Sequence, residues 1–141
     1  MADALSTLRN NLEDKIGRER HPDLTWPVVA YIAHMCDNLR IWAERIVGIS
    51  RGGSVDVVPY DENALAAARC YDALSLPGAL WSLGRSVDDW LVATDAAPRD
   101  LAMQHHERGR QGLLGVLRSN AHDVAHHVWD IRRSLAPSPE R

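Results

Sequence analysis

Apolar residues in this chain recur at spacings of three and four, the period of a helix buried on one face. Four such stretches follow one another. The first covers Asp3 to Gly17, with Leu5, Leu8 and Leu12 in step. Thr25 is placed to cap the second, and Pro27 falls in its first turn, where a missing N–H does no harm. That helix runs to Val47 or Ile49, and its seam is Val28, Ile32, Met35, Leu39, Trp42, Ile46 and Ile49. Arg51-Gly52-Gly53-Ser54 breaks the pattern, and Val55 to Tyr60 reads as an extended loop. A third region starts near Asp61; Ser75-Leu76-Pro77-Gly78 kinks or restarts it before it continues to Thr94. The last helix runs from Gln111 to Leu135, its seam made of Leu113, Leu117, Val124, Val128, Ile131 and Leu135. No run reads as a strand. The pattern predicts an all-α domain over residues 1–136, a four-helix bundle with a long crossover between the second and third helices. Residues 137–141, with two prolines, read as a disordered tail.

Composition narrows the function classes. At 141 residues the chain is long enough for one core. A net charge of −3 argues against a nucleic-acid partner, which calls for a basic face. No apolar run reaches the ~18 residues of a membrane span, and the opening Met1-Ala2-Asp3-Ala4 lacks the basic start of a secretion signal. Cys36 and Cys70 are too few for a disulfide framework and fit free thiols. These readings predict a cytoplasmic protein whose partner is a small molecule. Leftover apolar faces leave a homodimer open.

Histidines carry the candidate chemistry. His122 and His126 stand four apart in the last helix, so their imidazoles stack on one face about 6 Å apart along the axis. Both lie about 140° to 180° from the apolar seam, at the rim or back of the helix. His34 lies on the second helix in a polar strip with Tyr31, Asn38 and Arg45, beside the apolar face. Periodicity permits a rim site of these three histidines and equally permits solvated ones. Asp123 could orient a histidine or pair with one in solvent, and Asp61 could serve as a base or as a plain helix cap. Arg45, with Arg108 or Arg110, could clamp a substrate carboxylate. Trp129, one turn past His126, is placed at a pocket wall.

Two segments resemble a known family. Trp26-Pro27-Val28-Val29-Ala30-Tyr31-Ile32-Ala33-His34, closing with Leu39-Arg40-Ile41-Trp42-Ala43-Glu44-Arg45, is similar to the second helix of DinB-like proteins, more narrowly of their small actinobacterial branch. His122-Asp123-Val124-Ala125-His126-His127-Val128-Trp129-Asp130 resembles that branch's last helix, and Asp61-Glu62-Asn63-Ala64 an acidic motif. The resemblance implies a four-helix bundle of DinB-like type and a divalent metal, zinc or nickel, on three histidines, here His34, His122 and His126. His127 matches a family position but points about 100° away from His126, so it is not counted as a ligand. The chain departs from the family between Met103 and Asn120, which bears on substrate choice. The resemblance also implies an enzyme acting on a small electrophilic metabolite through a metal-bound thiolate or hydroxide, related to mycothiol-dependent maleylpyruvate isomerases, with mycothiol as candidate cosubstrate. The assigned roles are then metal for His34, His122 and His126, catalysis for Asp61, Asp123 and Arg45, and pocket for Tyr31, Asn38 and Trp129. The alternative is a binding protein, or a biosynthetic cyclase or isomerase that reuses the pocket with or without metal.

Overall fold

The computed structural model describes residues 12–136, and these are mainly α-helical with one small sheet. Part of the expected first helix, Asp3 to Asn11, and the tail at 137–141 lie outside the described residues. Residues 12–18 are helical (α1). The others follow as α2 (Val28–Ser50), β1 (Asp56–Val57), α3 (Glu62–Ala68), a single 3-10 turn (Tyr71–Ala73), α4 (Leu76–Asp95), β2 (Ala102–His105), β3 (Gly109–Gly112) and α5 (Leu113–Leu135).

α2 is the central element. Every residue from Val28 to Leu39 is buried, so the helix is covered all round. It packs most extensively against α4, then against α5, and also meets α3 and the 3-10 turn. Its start differs from the sequence expectation: Thr25 does not cap it. Pro27 stands at the cap position without a side-chain bond, and the orphan Val28 N–H donates to the Glu19 carbonyl at 2.9 Å. At its other end Gly52 takes a positive φ of 85°, and Gly53 N donates to the Gly48 carbonyl at 2.9 Å, a turn that closes the helix.

The third helical region is a restart and not a kink. Asp61 caps the seven-residue α3, and Ser75 caps α4 by accepting from Gly78 N. The sheet is the larger departure from the strand-free expectation. β1 pairs in parallel with β2, aligning Asp56 with Gln104, and β2 pairs antiparallel with β3. These strands are too short and too polar to show alternation. The readable signal was the three-residue turn His106-Glu107-Arg108 closed by Gly109, whose φ of +70° favours glycine.

Two main apolar clusters stabilise the ends of α2. Val28, Val29, Ile32, Met35 and Cys36 pack with Leu76 and Ala79 of α4, and Ile16 of α1 joins them. Trp42 and Ile46 pack with Val57, Met103, Ala93 and Val116, which anchors the sheet to the helices. Among the described residues no helix is long and apolar enough to cross a membrane.

His105 pins the hairpin. It is 3% exposed, its ring stacks on Trp42 with centroids 6.1 Å apart, and its Nδ1 accepts the backbone N–H groups of Glu107 at 3.2 Å and Arg108 at 3.3 Å. Protonating Nδ1 would set a donor against two donors. Burial, followed by the nearby Arg108 and Arg45 charges, also pushes its pKa down. A histidine with a depressed folded pKa contributes stability that is full above the unfolded pKa near ~6.5 and is lost as pH falls toward the folded value. The urea midpoint of the wild type should therefore drop more steeply between about pH 7 and pH 5 than that of His105→Asn, whose amide oxygen can accept the same N–H groups. Equal slopes would remove His105 from the acid response.

Candidate functional site

α2 and α5 meet along a polar seam. On α5, beside the apolar Val124, Val128 and Ile131, an inward strip runs through Val116, Asn120, Asp123, His127, Asp130 and Ser134, spaced four, three, four, three and four. That is the repeat of a helix keeping one face on a partner, with polar residues in all but one position. On α2 the matching strip is Tyr31, His34, Asn38 and Arg45, as the sequence grouped them.

Hydrogen bonds fix the middle of the seam. Asn38 Nδ2 donates to Asn120 Oδ1 at 2.9 Å and to Asp123 Oδ2 at 3.0 Å. With both amide hydrogens committed, Asn38 Oδ1 is the acceptor and the Tyr60 hydroxyl donates to it at 3.1 Å. Asn120 Nδ2 in turn donates to the Val116 carbonyl at 3.0 Å. The network leaves these buried amides satisfied, as burial demands, and it holds Asp123 in place.

Around Asp123 the metal-ligand types converge. His34 is 2% exposed; its Nε2 lies 3.8 Å from Asp123 Oδ2 and 3.9 Å from Glu62 Oε2. His127 Nε2 lies 3.5 Å from Asp123 Oδ1, and the rings of His34 and His127 meet edge-on at 4.7 Å. One ligand atom from each of His34, Asp123 and His127 falls within 4.8 Å of the others. Ligand atoms about 2 Å from a shared ion stand roughly 3–4 Å from each other, and the two separations, one from each Asp123 oxygen, fall in that range. On its far side His127 Nδ1 is buried without a well-formed hydrogen bond, 3.5 Å from Asp130 Oδ2. A carboxylate behind an imidazole is the arrangement that orients a metal-binding histidine. Tyr31 packs on the His127 ring at 5.3 Å, and Trp26 on the His34 ring at 5.1 Å. The donor set therefore fits a divalent ion.

Charges follow from these neighbours. Burial and then the facing His127 push the His34 pKa down. Burial also opposes charge on His127, but hydrogen bonding and attraction from Asp123, then Asp130, outweigh it and raise that pKa. Burial alone would raise Asp123; the His127 hydrogen bond and the surrounding histidines overcome it and lower its pKa. Tyr60 is pushed up to about 12 by burial and by Asp123 and Glu62, so its hydroxyl stays protonated.

The expected ligands divide. His34 is in the cluster, whereas the partner pair on α5 is Asp123 and His127, one residue on from His122 and His126. His122 is exposed, and the His126 side chain is 56% exposed with its Nε2 3.5 Å from Asp130 Oδ2. The apolar seam of α5 holds in part: Leu113, Val124, Val128 and Ile131 are partly buried and pack against the apolar clusters, while Leu135 is exposed. His122 and His126 lie on the outer side, as their angle from that seam implied, and a polar strip of Asn120, Asp123, His127, Asp130 and Ser134 lies inward beside it. Asp61 is held away as a cap, its Oδ1 accepting from Asn63 N and Ala64 N, and its neighbour Glu62 reaches His34. Arg45 lies over the Trp42 ring at 4.8 Å and donates to the Val58 carbonyl. Trp129 is 53% exposed and sandwiched by His126 and Arg133.

Three cavities flank the cluster; the first, of about 490 Å³, is bordered by Asn38, Arg108, Asn120, His122 and Asp123. The second, of about 220 Å³, is bordered by His34, Asn38, Tyr60, Arg45, Arg108 and Asp123. The third, of about 340 Å³, is bordered by Trp26, Tyr31, His126, His127 and Trp129. Glu62 borders the second and third.

In the metal-free protein, histidine resonances followed by NMR should show His127 titrating above the ordinary histidine range and His34 below it. Asp123→Asn should lower the His127 value. The Asp123–His127 pair contributes stability above the unfolded carboxylate pKa and below the folded His127 pKa, and loses it as pH leaves that window on either side. An unchanged His127 titration in Asp123→Asn would contradict the pairing. Comparison with protein-family models, with curated proteins and with solved structures finds no match for this chain.

Proposed function

We propose that this chain is a metal-dependent enzyme of the DinB-like type, built on a four-helix bundle and acting on a small electrophilic metabolite with a thiol or water as nucleophile. The observation that supports it is the convergence of His34, Asp123 and His127 beside a cavity wide enough for a small molecule. Two imidazoles and a carboxylate would hold zinc or nickel, with Glu62 in reach as a further oxygen donor. A divalent ion held there supplies Lewis acidity and lowers the pKa of a water or thiol that reaches it.

The chain's own residues prepare the rest. Asn38 fixes Asp123, and Asp130 backs His127, so two of the three donors are oriented before any ligand arrives. Glu62 borders the second and third cavities, where it can take the proton of an entering nucleophile. Tyr60 keeps its proton and presents a neutral hydroxyl to the same space. Mycothiol remains the candidate thiol of this reading.

A metal-free binding protein is the second reading. It is favoured by the mutual pairing of Asp123 and His127 at 3.5 Å, which balances their charges without an ion. Metal content separates the two. Protein purified without a histidine tag and equilibrated with zinc or nickel should take up one equivalent. His34→Ala, Asp123→Ala and His127→Ala should each lose at least the tenfold in affinity that losing a supporting partner alone costs, about 10- to 100-fold. His122→Ala and His126→Ala should keep it. Loss in the latter pair with retention in His127→Ala would restore the three-histidine set. No uptake by the folded wild type would leave the binding protein. Thiol-transfer and hydrolysis screens of the loaded protein then identify the nucleophile.

A further inference from the structure

The cavity of about 220 Å³ holds a charge pattern that the cluster does not explain. Arg45 and Arg108 both border it, and among the described residues neither has a carboxylate at ion-pair distance. Elsewhere the protein handles cations differently: Arg69 and Arg40 are both paired with the buried Asp37, at 2.6 Å and 3.5 Å. Arg45 is half-buried between the faces of Trp42 and Tyr60, at 4.8 Å and 5.9 Å from the ring centroids. Burial, and then the nearby Arg108 charge, pushes the Arg45 pKa down, and burial followed by the same two guanidiniums pushes the His105 pKa down. Two like charges sharing a partly desolvated space are unfavourable unless an anion joins them.

The hairpin presents the second cation deliberately. Arg108 sits at its tip, and its backbone N–H is one of the two that His105 Nδ1 accepts, so its position is fixed by a buried side chain. The neighbouring Arg110, on β3, does not border this cavity. From these residues we infer that Arg45 and Arg108 bind the carboxylate end of a small organic acid, whose other end lies toward His34 and Asp123. A single carboxylate matches the guanidinium fork. A phosphate dianion fits less well, because Asp123, Glu62 and Glu107 border the same cavity and repel the added charge. The orientation toward His34 rests on the reading of the cluster as the reacting centre; the anion site does not.

Equilibrium titration with benzoate, succinate and inorganic phosphate, followed by tryptophan fluorescence and calorimetry, tests this in chelator-treated and zinc-loaded protein. At least one carboxylate should bind more tightly than phosphate. Arg108→Gln, at an exposed position, should weaken it about tenfold or more, while Arg110→Gln stays within about twofold. Arg108→Lys should recover only part of the loss, since a point charge lacks the fork. Unchanged binding in Arg108→Gln, no carboxylate binding, or a preference for phosphate would overturn the inference. Arginine-dependent binding without zinc uptake would uphold this site and remove the metal reading. Zinc uptake without carboxylate binding would do the reverse.

Discussion

A buried polar interface between α2 and α5 is the constraint on which the rest depends. Burying amides, imidazoles and carboxylates is unfavourable unless each finds a partner. Here the partners come from the opposite helix and from the Tyr60 segment: Asn38 satisfies Asn120 and Asp123, Tyr60 satisfies Asn38, and Asp123 meets both histidines. An apolar interface of similar shape would tolerate sliding by a fraction of a turn. This one does not, because a small shift would leave several polar atoms unpaired at once. The apolar clusters at either end of α2 supply cohesion, and the polar seam between them supplies register.

The surrounding elements read as supports for that seam. α4 covers α2 on its other side and carries mostly apolar contacts. The segment from β1 to α3 delivers Tyr60 and Glu62 to the seam's edge, and the Asp61 cap makes the second placement possible by starting α3 at Glu62. The hairpin, tied to α2 through Met103 and the His105–Trp42 stack, closes the remaining side.

Much of this was legible in the sequence, because α2 follows the rules sequence reading rests on. Its apolar seam and the strip Tyr31, His34, Asn38 and Arg45 were read as grouped, and the breaks at Gly52-Gly53 and Ser75 fell where the structure puts them. The apolar seam of α5 was read in part, with Leu113, Val124, Val128 and Ile131 packed on the core, but the buried polar strip beside it was not. Periodicity set His122 and His126 at the rim or back, where they lie; it was the family resemblance that brought them forward in place of Asp123 and His127. The same four-three repeat was present over Asn120, Asp123, His127, Asp130 and Ser134, but polar residues in helical register ordinarily mean solvent. Glu62 was illegible for another reason, and the hairpin showed only its turn: their positions depend on contacts between segments far apart in the chain.

That distance has a consequence for how the protein comes to be. The bonds from Asn38 to Asn120 and Asp123 span 82 and 85 residues, whereas α2 and α4 meet across a much shorter stretch, as in the 43-residue span from Cys36 to Ala79. During synthesis from the N-terminal side, α2 and α4 can pair while α5 is still inside the ribosome. The α2 flank then open to water bears His34, Asn38 and Arg45 beside the apolar residues that α5 will cover. The residues that fix register in the finished fold are thus among the last to find their partners.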